Sequence, residues 1–458
     1  MLATKSVLSG VLFLVSVGLT SSALAATRLV DGAAGIDSGD CTVSACATIA
    51  YAIDQAVGGD TIDVADAVYT EMLTVDKSLI FQGESEDGTI IQADPDPFVT
   101  AGRVFTLTDD LDLTLADLTI RHGSGVSGAG LRMSGLGDLT LTRVTFYRNS
   151  AGGGQGGAIE FSRVGCNIAM NEVSFIENDA GRGGGFDILD CDQVTLDGVD
   201  FVGNSGLSCG GGGAMTRIAS VQLDKARFFG NTAGTSGGAG LCVFNSAIEA
   251  DALEFRGNSS STAGGAVYSS NSTWTIANSL FTGNLAENNG SAIHNVTSAS
   301  ITNLINVSIV GNRSNGDAGA INFVGSGMQI HNTIFWNNQN SKGIGSAQAS
   351  IWSLSVDADV QNSLVQGFSA GDLDGTGNFD GSVNPQFIST TSPTAAPTTS
   401  GDLHLREFSP LKDAGNNALI TGFAFDLDGV ARIFNGTVDL GPYEFGSGIL
   451  FRDRFEPE

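Results

Sequence analysis

Carboxylates and guanidiniums are the groups whose spacing in this chain could do chemistry. Asp187, Asp190 and Asp192 lie close together, with Arg182 before them and Arg217 after them. Abstracting a proton beside a sugar carboxylate needs a base, and a guanidinium or metal ion to neutralise the acid. This group could supply such a cleft, and a charged surface loop is the plainer reading. A second group is Asp372, Asp374 and Asp380, in the run Asp372-Leu373-Asp374-Gly375-Thr376-Gly377-Asn378-Phe379-Asp380. Oxygen ligands at alternate positions around a glycine bend suit Ca2+. Val383 stands where an EF-hand would place its bidentate glutamate, so that motif is excluded and an Asx-rich turn competes with the cation loop. The four histidines, His122, His294, His331 and His404, are not spaced to stack into a metal column and read as surface or turn residues. Gly234-Thr235-Ser236-Gly237-Gly238 matches a nucleophile elbow by letter, but no helix follows it.

The elements that must position these residues are repeats. From Thr114 to about Val365 a hydrophobic strand is followed by Phe-x-x-Asn and a glycine-rich turn. The asparagines are Asn149, Asn178, Asn204, Asn231, Asn258, Asn284, Asn312 and Asn338, with steps of 29, 26, 27, 27, 26, 28 and 26. Ile309 replaces phenylalanine once. A second beat, as in Gly156-Gly157-Ala158-Ile159 and Gly264-Gly265-Ala266-Val267, adds another turn to each unit. A fixed period in the twenties means a solenoid. Units this short, already holding strands such as Val194-Thr195-Leu196, leave no room for the helices of an ankyrin or tetratricopeptide array. The expected fold is therefore all-β, a right-handed parallel β-helix of roughly ten to twelve coils, about 50 Å long. The phenylalanines should stack inward and the asparagine amides should form a ladder, each asparagine also tolerating the left-handed backbone that a bend needs and the glycine pair supplying it freely. Asn171, Asp197, Asp224, Asp251, Asn278, Asn306 and Asn332 read as a further polar column. Asp200, Arg227 and Glu254 should stack as acid, base and acid, with Glu172 near Arg143.

The ends are read from composition and pattern. Lys5, the apolar run Val7 to Leu19 and Ala23-Leu24-Ala25 make residues 1–25 a signal peptide. No later stretch is long and apolar enough to span a membrane, so the mature chain is expected outside the cytoplasm, secreted or at the outer membrane or cell surface. The formal charge of −28 disfavours nucleic acid and anionic membranes. Six cysteines in an exported chain suggest disulfides. Cys166 and Cys191 are nearly one coil apart, Cys41 and Cys46 are neighbours, and Cys209 is left for Cys242. Helical spacing over 46–57, ended by Gly58-Gly59, predicts a short helix capping the solenoid. The expected division is a cap with the first coils over 26–100, repeats over 101–368, a β-rich C-terminal cap over 369–446 and a tail over 447–458.

The run from Ile49 to Gln92 resembles the cap and first coils of the pectin-lyase-like superfamily of β-helix proteins. The Phe-x-x-Asn and Gly-Gly-Ala-Ile repeats resemble those of polymorphic outer-membrane proteins. Asn384-Pro385-Gln386-Phe387, Gly401-Asp402-Leu403-His404-Leu405, Ser409-Pro410-Leu411-Lys412-Asp413-Ala414-Gly415 and Val438-Asp439-Leu440-Gly441-Pro442-Tyr443-Glu444-Phe445 resemble the closing module of secreted bacterial "choice of anchor" proteins. The translocating barrel of the polymorphic proteins has no counterpart here, so self-translocation is not expected. The resemblance implies export and a β-helix. It leaves three expected functions: a non-enzymatic, adhesin-like protein binding polysaccharide or another cell-surface ligand, a polysaccharide lyase or glycoside hydrolase acting on acidic polysaccharide, or a purely structural role in the envelope.

Overall fold

The structure is a computed structural model and describes residues 25–446, apart from 109, 163, 298–300, 326, 353–357 and 421. The signal peptide expected over 1–25, all but Ala25, and the tail expected over 447–458 lie outside the described residues. Each repeat forms one coil of a parallel β-helix. In one coil, Gln193–Asp197 and Asp200–Val202 meet at a bend and form the first face, Ser205–Cys209 the second, and Gly213–Thr216 the third. Successive coils pair in parallel, with Val194 on Val221, Phe201 on Phe228 and Asp187 on Ala214. Among the described residues the three faces are sheets of 23, 8 and 11 strands.

Strand alternation puts every second side chain inside. Phe146, Phe175, Phe201, Phe228, Phe255 and Phe281 are fully buried, and their rings stack at 5.2, 5.0, 4.6, 4.5 and 4.8 Å. Ile309 and Phe335 continue the column. Glycine is required beside it. A Cβ on Gly185 would stand 2.3 Å from the Gly212 carbonyl oxygen and against the Phe201 ring.

The asparagine ladder forms over all eight coils. Asn231 Nδ2 donates to Asn258 Oδ1 at 3.0 Å and to the Phe201 carbonyl at 2.8 Å. Its own Oδ1 accepts from Asn204 at both the backbone N–H and Nδ2. The left-handed residue, however, is not the ladder asparagine but the one before it: Arg148, Glu177, Gly203, Gly230, Gly257, Gly283, Gly311 and Asn337 all have positive φ. The amide must point inward to reach its neighbours, so the preceding residue makes the turn. The further polar column also divides in two. Asn171, Asp197, Asp224 and Asp251 are in register with Ala277, whereas Asn278, Asn306 and Asn332 occupy the left-handed bend beside it. Arg227 pairs with Asp200 at 2.5 Å as expected, but Glu254 turns to Arg256 and Arg143 takes Asp117.

The three expected disulfides, Cys41–Cys46, Cys166–Cys191 and Cys209–Cys242, are all formed. The N-terminal end opens with an additional strand, Thr27–Val30, and is closed by a helix, Ile49–Gln55. The Thr48 hydroxyl caps that helix, accepting from the Tyr51 N–H, and Ile49, Ala52 and Ile53 are buried.

The C-terminal end departs from the expected β-rich cap. Residues 369–381 close the last coil: Val360 N–H donates to the Asp374 carbonyl, Asn362 N–H to that of Thr376, and Leu373 is buried. The chain beyond lies along the flank of the first face. Among its described residues it holds an antiparallel strand pair, Phe387–Ser389 with Asp402–Leu405, an antiparallel bridge between Phe425 and Ala431 and two short 3-10 turns, Pro393–Ala395 and Asn417–Leu419, with irregular chain between them. Phe387, Leu403, Leu405, Leu411, Leu440 and Tyr443 pack on Leu280, Val310, Ile334 and Leu364, outward side chains of the last coils. These coils expose an apolar strip, and the module covers it.

Candidate binding site

Alternation along each strand separates the acidic group read from the sequence. Asp187 points outward from the third face and is fully buried in the corner with the second face, 3.2 Å from Arg182 Nη1. Arg182 also reaches the Thr216 hydroxyl and lies 5.8 Å from the centre of the Phe244 ring. Asp190 occupies a left-handed bend and pairs with Arg217 at 2.5 Å. Asp192 is exposed on the far side of that bend. The structure therefore joins Arg182 to Asp187 and Arg217 to Asp190, and does not gather the five into one site. Sequence missed Glu160, which precedes Asp187 in the column and pairs with Arg132 at 2.8 Å.

Burial pushes the Asp187 carboxyl up to about 7, against the pull of Arg182 and with the push of Glu160. An unfolded aspartate titrates near 3.9, so the folded chain holds this proton longer. Stability should fall as pH rises from about 4 to about 7, because folding then requires a buried charge. Asp187→Asn cannot ionise and should lose that fall. Urea midpoints of the two proteins across this range provide the check, and parallel curves would contradict the assignment.

In the Asp-rich loop, Asp372 Oδ2 accepts from the Ser369 N–H at 3.0 Å, and Asp380 Oδ1 accepts from the Ser382 N–H and hydroxyl. Asp374 is exposed, and its carbonyl pairs with the last coil. Each does the work of an Asx-rich turn or end closure. Among the described residues no three His, Cys, Asp or Glu side chains are grouped to hold a metal ion. Three of the four histidines expected at the surface or in turns are buried, and of these His122 lies in a left-handed turn. His122 lies 2.9 Å from the Asp94 carbonyl, His294 is 3.0 Å from Asn322 Nδ2, and His331 is 3.0 Å from Asp359.

A concavity under an overhanging loop lies elsewhere. The non-repeating segment 93–103 leaves the strand ending at Gln92 and arches over the turns of the next coils. It is tied down at both ends: the Asp94 carbonyl faces His122, and Gly102 and Ser124 exchange hydrogen bonds of 3.0 and 2.7 Å. Its tip, Pro97-Phe98-Val99, roofs a pocket of about 630 Å³. The floor is Ser124, Arg148, Ser150, Glu177 and Asp179. Arg148 pairs with Glu177 at 2.6 Å, and the Ser150 hydroxyl donates to Asp179, whose carboxyl is raised by burial. Phe98 is 89% exposed. An anchored loop thus holds an aromatic ring in water beside carboxylates, a guanidinium and hydroxyls. The one signal in the sequence is the proline spacing of Asp94-Pro95-Asp96-Pro97-Phe98, which suits a loop, and only the fold shows what it overhangs.

A trough of about 790 Å³ runs along the bend of the first face, between the 84–88 loop and Leu427 of the flanking module. Glu86, Asp197, Asp200, Lys225 and Arg227 line it. Here the bases are held by acids: Arg227 by Asp200, and Lys225 by Asp224 and Asp197 at 3.2 and 3.6 Å.

Together these features define a disulfide-bonded parallel β-helix protein with a loop-roofed pocket on one edge. The profile of the Chlamydia polymorphic membrane protein repeat matches residues 252–270. That match spans less than one coil and so describes a repeat type. Among solved structures, the crystal structure of pectate lyase Pel9A is similar, with 14% identity over 92% of this chain and 96% of that chain and a TM-score of 0.47. No curated protein matches the sequence. Among the described residues no helix is long and apolar enough to cross a membrane.

Proposed function

We propose that this is an exported, non-enzymatic binding protein of the cell exterior, with polysaccharide or cell-surface glycan as its ligand. The observation that carries this reading is Phe98 held in water above Arg148, Ser150, Glu177 and Asp179. The C–H face of a sugar ring matches an exposed aromatic, and its hydroxyls match carboxylates and guanidinium, which accept and donate in fixed directions. Three disulfides support an oxidising compartment. The expected result is retention of the mature protein on a glycan array, with Phe98→Ala weakening the best ligand by about ten- to thirtyfold, as fits a lost aromatic contact of about 1.5–2 kcal/mol. The melting temperature should not move, because the ring is exposed. Equal retention by the variant would sink the assignment of the pocket.

One observation favours a polysaccharide lyase or hydrolase: an aspartic acid that keeps its proton near neutral pH stands beside an arginine, Asp187 with Arg182. Absorbance at the unsaturated-uronide band, with pectate, alginate and glycosaminoglycans and with or without Ca2+, tests the lyase, and a reducing-sugar assay tests the hydrolase. Both traces should stay flat.

A further inference from the structure

His404 stands in the strand Asp402–Leu405 with its ring stacked on Tyr443, the centroids 3.9 Å apart. Its Nδ1 is 2.5 Å from Asp402 Oδ1, and its Nε2 is 2.8 Å from Asp428 Oδ2. A carboxylate oxygen only accepts. A neutral imidazole has one N–H and one bare nitrogen, so either tautomer would turn a lone pair toward one of the two carboxylates. Only the imidazolium donates at both nitrogens. The geometry thus requires the proton without reference to any titration.

The position gives that proton a mechanical consequence. Asp402 and His404 belong to the hairpin half of the flanking module. Asp428 belongs to the turn before its last segment, the turn whose Leu427 walls the trough. Below the ring, Tyr443 meets Glu254 and Arg256 of the solenoid, and Arg256 Nη1 donates to the Gly401 carbonyl at 3.2 Å. The turn of Asp428 also carries Asp426, whose carboxylate accepts from the Asp428, Val430 and Glu444 N–H groups and joins Arg432, Asp439 and Glu444 in a buried charge cluster that borders Asp428. The groups that face His404 are therefore Asp402, Asp428 and Tyr443, with Glu254 and Arg256 behind.

We propose that His404 is a pH-sensitive latch: protonated, it ties the hairpin to the 426–430 turn, and deprotonated, it lets the two halves part and loosens the cover over Leu280, Val310, Ile334 and Leu364. This goes beyond glycan binding and does not depend on it. The two carboxylates raise the histidine above its ordinary value, against burial, which lowers it. A raised histidine contributes stability that is complete below about pH 6.5 and is lost as pH rises through the folded value.

Hydrogen exchange of the full chain, corrected for intrinsic rate, tests this between about pH 6 and about pH 8.5. In the wild type, protection of peptides from 400–406 and 424–430 should fall at least about tenfold, while the phenylalanine coils stay protected. His404→Gln should show low protection throughout, with no step. Asp428→Asn, whose amide tolerates a neutral ring, should move the step to lower pH and serves if His404→Gln does not fold. A flat wild-type profile overturns the latch. So does an unchanged step in either variant, which would assign the transition to the Glu444 cluster.

Discussion

Phe228→Ala is expected to cost about 3–5 kcal/mol, the usual range for emptying a fully buried aromatic position. The ring lies between Phe201 and Phe255 at 4.6 and 4.5 Å, nearly parallel to both, so its removal leaves two stacked faces without a partner. Neighbouring coils cannot close the gap, because their own ladders fix the spacing along the axis. A solenoid adds the consequence that each coil contacts only the next. The damage should therefore divide the molecule. Urea unfolding should show a lower midpoint and a shallower slope as the coils on either side of Phe228 melt apart. An unchanged midpoint would mean that neither the burial of the ring nor its stacking contributes to stability, and would overturn the prediction.

Arg432→Met carries the second large effect. Arg432 is 1% exposed. Its Nη2 donates to the Asp439 and Gly441 carbonyls at 3.1 and 3.0 Å and pairs with Glu444 at 2.9 Å. Asn306 of the solenoid donates to the same two carbonyls, so the arginine sits where the module meets the coils. Burial pushes the Glu444 carboxyl up, with Arg432 pulling the other way. Methionine keeps the stem and removes the charge. Breaking a buried pair from one side costs about 3–5 kcal/mol; here the Asp439 and Gly441 carbonyls lose a donor, and Glu444 loses the charge that opposes its protonation. The module should lose its hydrogen-exchange protection while the phenylalanine coils keep theirs. Loss of both together would mean that the module is part of the solenoid's own cooperative unit.

The solenoid was legible because its signal repeats. Phe146, Phe175 and Phe201 each announce an inward position, and the same spacing that stacks them aligns Cys166 with Cys191. The closing module's place was written less plainly. At the outward position of the first face, Asp200, Arg227 and Glu254 give way to Leu280, and later to Ile334 and Leu364. That change marks a covered flank, although Ser308 interrupts it. The acidic group failed as a site for a physical reason. Asp187, Asp190 and Asp192 are close along the chain, but a strand end and a left-handed bend turn them in different directions. The pocket was out of reach because the loop does not repeat, and nothing in its letters says which coils lie beneath it.

The asparagine ladder has a direction. Every amide from Asn149 to Asn312 donates its Nδ2 to the oxygen of the following coil, and none donates to the asparagine before it. A finished coil thus ends in an amide donor awaiting an acceptor, and the next asparagine brings that acceptor. From Asn149 onward each added coil meets a donor of the right polarity. The ladder is therefore vectorial as well as cohesive, and its polarity coincides with the order in which a chain emerges.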